Sequence, residues 1–278
     1  MFQLLESATA SINCPAQSGT GIPEGTAALT FGDTDQFTPA VSSLPRAGLG
    51  AFSPQTGQWL FLDTNTGSLE SFFNFGGAGF IPVYGDWDGK GVVHVGAFDP
   101  STATWYLRNE SGPGKADLVF QFGPAGSIPV VGDWDGNGTT TIGVFVPGSA
   151  QWYLRNTNSS GPPDITPFQY GFPGVVPVAG HWSSGSPDTI GIYYPPTGQW
   201  LLRKSNSGGA PDIGFFYGYP GTQPVVGDWA ASGQDGVGLY DPASGSFLLR
   251  KIPAKGSPDI ITRIGGGMTG GKALVWTP

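Results

Sequence analysis

The chain has few of the residues from which active sites are usually built. Among its 278 residues there are one cysteine, two histidines, two methionines and four glutamates. A lone cysteine, Cys14, forms no internal disulfide and leaves the redox compartment open. His94 and His181 stand apart in unlike surroundings and give no metal or catalytic pair. Charged residues are only 12% of the sequence, and the 12 lysines and arginines form no stripe against a net charge of −8. That balance argues against a nucleic-acid partner. No apolar run approaches the roughly 20 residues of a membrane helix, so no membrane insertion is expected. Met1 to Ala10 lacks the basic and apolar regions of a secretion signal. A Gly-x-Ser-x-Gly elbow, a phosphate loop and a His-Glu-x-x-His helix are all missing. Residues 265–270 have the glycine spacing of a dinucleotide loop, but no helical pattern follows them, which excludes the nucleotide reading.

Glycine and proline are plentiful, at 47 and 26 residues, and they recur with a period. A Gly-x-Trp core stands at Gly85–Trp87, Gly132–Trp134, Gly180–Trp182 and Gly227–Trp229, with glycine spacings of 47, 48 and 47. An aromatic-Gly pair precedes each core: Phe75-Gly76, Phe122-Gly123, Tyr170-Gly171 and Tyr217-Gly218, always 11 residues from glycine to tryptophan. Downstream come Trp105 to Arg108, Trp152 to Arg155, Trp200 to Arg203 and Phe247 to Arg250. In the clearest unit, Ile128 to Val131, Thr141 to Val146, Trp152 to Arg155 and Ile165 to Tyr170 read as four short strands separated by Gly, Pro, Asn and Ser. Four strands in a unit of 40 to 50 residues mark a β-propeller blade.

The repeats run at about 33–75, 76–122, 123–170, 171–217 and 218–264. Blade 1 has Val41 to Leu44 where the others have the Gly-x-Trp core. Residues 1–32 match the last three strands of a blade: Leu4 to Cys14 aligns with Leu239 to Leu249, and Phe31-Gly32 is a further aromatic-Gly pair. Trp276 lies eleven residues past Gly265, at the tryptophan offset. The expectation is an all-β, six-bladed propeller in one domain, with 1–32 and 265–278 sharing the closing blade and leaving no open sheet edge.

The aromatic-Gly and Gly-Asp-Trp-Asp-Gly-x-Gly elements resemble the FG-GAP and VCBS-type repeats of extracellular propellers, including those of integrin α-chains. The resemblance spans nearly the whole chain and implies adhesion or ligand binding outside the cell or at its surface. It also implies loops that hold calcium. Asp133, Asp135 and Asn137 fit such a loop, and so do Asp86 and Asp88, but Thr141, Lys90 and His94 stand where later oxygens belong. A Ca²⁺ ion wants six to eight oxygens, so the preferred reading is a tight turn in which the aspartate bonds its own backbone. No cofactor is expected; if calcium binds anywhere, it is at Asp133–Asn137.

Arg108, Arg155, Arg203 and Arg250 each precede an aspartate by nine residues, Asp117, Asp164, Asp212 and Asp259. This spacing predicts cross-strand ion pairs worth ~0.2–1 kcal/mol each; a ring of arginines gripping an anion is the alternative. The repeated tryptophans are expected to pack between blades. Ligand candidates are residues that differ from blade to blade: Phe80, Phe172 and Tyr219 in the loops leading into first strands, and Gln58, Gln151 and Gln199 after the second-strand turns. In a propeller these loops share one face, and aromatics with amides suit sugar or peptide recognition; ordinary surface decoration is the plainer reading for any one of them. An enzyme of the glycosidase kind needs two facing carboxylates. Only Asp33, Asp35 and Asp63 are aspartates that no other repeat matches, and no catalytic residue is assigned. The leading expectation is a non-catalytic binding or adhesion module for glycan or protein. A structural subunit of a larger extracellular assembly and a glycosidase are the alternatives.

Overall fold

The structure is a computed structural model that describes residues 48–62, 69–110, 112–183, 185, 187–263 and 272–276. All belong to the unit Pro39–Pro278. The first strands are β1 (Gly48–Ser53), β2 (Gln58–Leu62) and β3 (Leu69–Asn74). Blade 2 holds β4 (Ile81–Gly85), β5 (His94–Asp99), β6 (Thr104–Leu107) and β7 (Leu118–Gln121). Blade 3 holds β8 (Ile128–Gly132), β9 (Thr141–Val146), β10 (Gln151–Leu154) and β11 (Ile165–Gln169). Blade 4 holds β12 (Val176–Gly180), β13 (Thr189–Tyr194), β14 (Gln199–Leu202) and β15 (Ile213–Phe216). Blade 5 holds β16 (Gln223–Gly227), β17 (Gly236–Asp241), β18 (Ser246–Arg250) and β19 (Ile260–Arg263), and β20 (Lys272–Trp276) ends the chain's strands. Every sheet is antiparallel, those of blades 2 to 5 being simple meanders, and the first strands β4, β8, β12, β16 and β20 stand side by side.

Among the described residues the propeller has five blades, not six. β20 completes the sheet β20-β1-β2-β3, so the last of the described strands closes blade 1. Trp276 stands opposite Gly48, and residues 1–47, with the expected closing-blade strands, lie outside the described residues. β20 fills the first-strand place of blade 1, and Val41–Leu44 lie outside the described residues. The register differs from expectation too. Lys272 faces Phe52 as Ile81 faces Phe98, so Trp276 occupies the place of Gly85, two residues short of the tryptophan offset. A shift of two keeps every side chain on its face. Leu274 therefore falls where Val83 falls in blade 2, and it is buried with Phe52, Trp59 and Phe73.

The strands' burial follows their place in the blade. Second strands such as β9 are apolar on both faces because neighbouring blades cover both. Third strands alternate, and fourth strands such as β7 are half exposed at the rim. Core clusters span the seams: Trp87, Phe98 and Trp105 of blade 2 pack with Ile142 and Val144 of blade 3. Each Gly-x-Trp indole in blades 2 to 4 donates to its own second strand, as Trp134 Nε1 does to Ile142 O at 3.1 Å. A second set explains the aromatic-Gly pairs. Trp59, Trp105, Trp152 and Trp200 donate to the carbonyls of Phe75, Phe122, Tyr170 and Tyr217, at 2.8–3.2 Å.

Two of those aromatics are tyrosines whose buried hydroxyls have no hydrogen-bond partner among the described residues, Tyr170 and Tyr217. Burial pushes each phenol up to about 12. Since an unpaired buried hydroxyl costs about 1–3 kcal/mol and phenylalanine fills the same place in blades 1 and 2, Tyr217→Phe is expected to leave thermal stability unchanged or raise it. A fall in melting temperature of several degrees would contradict this accounting.

Candidate functional site

The turns between second and third strands interlock with the loops that lead into first strands. Phe75 N donates to Gly57 O, Tyr170 N to Ala150 O and Tyr217 N to Gly198 O, at 2.8–3.0 Å. The two loop sets therefore form one face. The six residues expected to mark it do not act alike. Phe80 is half-buried and stacks on Tyr106 with ring centroids 5.5 Å apart, which makes it part of the seam between blades 1 and 2. Gln58, Gln151 and Gln199 begin β2, β10 and β14 and are half-buried. Phe172 and Tyr219 are exposed, at 37% and 44%.

Register shows what the spacing could not. In each blade the last residue of the second strand, the first of the third and the last of the fourth stand in one row across the sheet. In blade 4 that row is Tyr194, Gln199 and Phe216. Residues directly opposite in antiparallel strands present their side chains on the same face. Phe172 extends the row, edge-on to Tyr194 with centroids 5.1 Å apart. Phe216 is 61% exposed, and Tyr219 follows it three residues on. The matching rows are Asp99, Thr104 and Gln121 in blade 2, Val146, Gln151 and Gln169 in blade 3, and Asp241, Ser246 and Arg263 in blade 5. Among these, only blade 4 offers aromatic faces around an amide.

Phe216 escaped the sequence reading because its position has a structural task elsewhere. Gln121 Nε2 donates to Thr102 O, Gln169 Nε2 to Ser149 O and Arg263 Nε to Ser244 O, each pinning the turn above it. Blade 4 gives up that bond for an exposed ring. In blade 5, Asp241 is held by Ser244 Oγ at 2.6 Å and by the Ala243 amide, and these bonds keep its carboxyl below the usual range. Burial, and then the hydrogen bond to Asp241, raise the Tyr219 phenol.

The opposite face carries the loops tested for calcium. Asp133 Oδ1 accepts the amides of Gly136 and Asn137, and Oδ2 accepts that of Gly138, at 2.7–3.0 Å. Asn137 Oδ1 caps the Thr139 amide, and Asp135 is exposed. Asp86 takes the amides of Lys90 and Gly91. Lys90 Nζ lies 2.7 Å from Asp88, and its hydrogen bond keeps the Asp88 carboxyl low. These oxygens face backbone amides and an ammonium, so the donor set does not fit a calcium cage. Among the described residues no three His, Cys, Asp or Glu side chains converge. Asp33, Asp35 and Asp63 lie outside the described residues.

The arginines serve the loops between third and fourth strands. Three of the expected pairs form, at 3.9 Å for Arg155–Asp164, 2.8 Å for Arg203–Asp212 and 3.6 Å for Arg250–Asp259. Arg108 turns instead to Glu110, at 3.3 Å. Each guanidinium also gathers loop carbonyls, as Arg108 does those of Glu110 and Lys115, and it packs against a glycine six residues on. At Gly161 (φ +144°) a Cβ would come within 2.7 Å of Arg155. Four side chains bound in this way are not a free anion-gripping ring.

No family model matches the chain, and no curated protein does. Among solved structures it is similar to the crystal structure of a protein of unknown function from Bacteroides caccae. That likeness has a TM-score of 0.47 and 9% identity, over 78% of this chain and 73% of that one.

Proposed function

We propose that this propeller is a non-catalytic binding module that recognises glycan through the rim of blade 4. The row Phe172, Tyr194, Gln199 and Phe216, with Tyr219 beside it, is the observation that supports this reading. Aromatic faces pack against the C–H faces of sugar rings, and an amide both donates to and accepts from hydroxyls. The row holds no charged side chain, which suits a neutral ligand. A place outside the cell or on its surface, and kinship with FG-GAP-type repeats, belong to the same proposal.

The test is a glycan array with the intact chain, followed by affinity measurements on Phe172→Ala, Phe216→Ala and Tyr219→Ala. Loss of one central aromatic contact is expected to weaken binding about tenfold or more. Gln169→Ala, on the matching place of blade 3, should leave it unchanged. Clear hits that survive all three aromatic substitutions would place recognition elsewhere. A second reading, an assembly subunit, is favoured by Val119 and Ile261, which are 58% and 67% exposed on the outermost strands of blades 2 and 5. An array without hits, together with a defined oligomer of the purified chain, supports it.

A further inference from the structure

Two exposed aromatics of the candidate site sit in loops that lead into first strands, Phe172 ahead of β12 and Tyr219 ahead of β16. Their loops are held differently. Beneath Tyr219 lies a chain of hydroxyls. Thr222 Oγ1 donates to Tyr219 O at 2.7 Å, and Thr222 N reaches the same carbonyl at 3.3 Å. Tyr193, in β13, brings its hydroxyl to 2.9 Å from Thr222 Oγ1. A threonine hydroxyl has one proton. Here it goes to the Tyr219 carbonyl, so Tyr193 is the donor to Thr222. The relay runs one way, from Tyr193 through Thr222 to Tyr219, and each bond polarises the next. Both side chains are buried, so removing one partner strands the other.

The loop also lies against the phenol itself. A Cβ on Gly218 (φ +132°) would come within 2.6 Å of the Tyr193 oxygen. At its far end the Tyr219 ring is tied again, because its hydroxyl bonds Asp241 of blade 5. Tyr219 is thus fixed at backbone and tip while its ring stays exposed.

Other blades lack the relay. Where blade 4 has Tyr193 opposite Trp200, blades 1 to 3 have Phe52, Phe98 and Phe145 opposite Trp59, Trp105 and Trp152, and blade 5 has Tyr240. The place of Thr222, one residue ahead of the first strand, is held by Phe80, Ser127 and Val175 in blades 2 to 4. Ser127 Oγ keeps the bond to a loop carbonyl, that of Pro124, at 2.7 Å. Val175 has only its amide, 3.5 Å from Phe172 O. Among these four seams, both hydroxyls meet only between blades 4 and 5.

We infer that Tyr193 and Thr222 are positioning residues of the glycan site, whose buried relay sets the 218–222 loop so that the Tyr219 ring is presented before a sugar arrives. The inference rests on the glycan reading for its ligand, whereas the setting of the loop does not. A contact held beforehand in its bound shape raises affinity because it need not be ordered on binding. Neither residue touches the sugar; both act through Tyr219.

The other blades supply the substitutions. Tyr193→Phe copies blades 1 to 3, Thr222→Val copies blade 4 and Thr222→Ser copies blade 3. Hydrogen exchange on the intact chain without ligand reads the loop. Protection at residues 218–222 is expected to fall about threefold or more in Tyr193→Phe and Thr222→Val, and to survive in Thr222→Ser. Residues 171–175 should not change in any of them. Affinity for the strongest-binding neutral oligosaccharide of the array reads the site. Tyr193→Phe and Thr222→Val should each weaken it about three- to tenfold, and should weaken it no further in a chain that already carries Tyr219→Ala. Unchanged exchange at 218–222 in both variants would overturn the relay. Unchanged affinity, or an equal loss with and without Tyr219, would overturn the positioning role. An array without hits would sink the glycan reading, and exchange alone would then decide the relay.

Discussion

A chain ended before Lys272 is expected to lose its cooperative unfolding transition and to associate. Blade 1 has no first strand of its own within the described residues; β20 fills that place and faces five residues of β1. Without β20, the backbone groups of β1 face solvent as an open edge, and Phe52, Trp59 and Phe73 lose Leu274 as their cover. Both changes favour pairing with another molecule. Circular dichroism melts and size-exclusion chromatography on the shortened chain measure the effect. Leu274→Ala, which keeps the strand, should cost about 2–5 kcal/mol and still fold. A shortened chain that stays monomeric and melts within a few degrees of the full one would remove the closing role given to β20.

Arg203→Ala should be the most damaging single change on the loop face, at about 2–4 kcal/mol. Its guanidinium donates to the carbonyls of Ser207, Gly208 and Ala210 and meets Asp212 at 2.8 Å, with the side chain only 11% exposed. It also lies 5.9 Å from the centre of the Tyr170 ring, so the change reaches into the seam with blade 3. Lysine is not expected to rescue it, because one ammonium cannot serve carbonyls on several sides of a planar fork. Denaturant midpoints of the alanine and lysine variants settle the magnitude. An alanine cost below about 0.5 kcal/mol would return Arg203 to the class of surface ion pairs. The sequence reading placed it in that class because a nine-residue spacing shows the partner acid but hides the carbonyls between.

The strand pattern was readable because four units repeat it, so each ambiguous stretch could be checked against its equivalents. Two short runs of sequence misled the blade count. The match of Leu4 to Cys14 with blade 5 and the offset of Trp276 are resemblances between segments, and resemblance does not say which incomplete blade a strand will join. Pairing with β1 decided that. The candidate site was half legible. Phe172 and Tyr219 stand out as residues that vary between repeats, whereas Phe216 gains meaning only from its place opposite Gln199. The relay beneath Tyr219 was hidden for a different reason. Tyr193 and Thr222 are 29 residues apart and belong to different repeats, and the matching places in other blades hold phenylalanine, serine and valine as well. No single-residue motif marks the position.

Closure by the last strand has a consequence during synthesis. Blades 2 to 5 are each drawn from one continuous stretch and can form in turn as the polypeptide leaves the ribosome. Blade 1 cannot: Gly48 is made early and must wait for Trp276, more than two hundred residues later, before its sheet is whole. That pairing spans the largest sequence separation of any strand pair among the described residues, and such contacts form only after the chain between them is in place. Until Lys272 to Trp276 have been made, the nascent ring carries one unsealed blade.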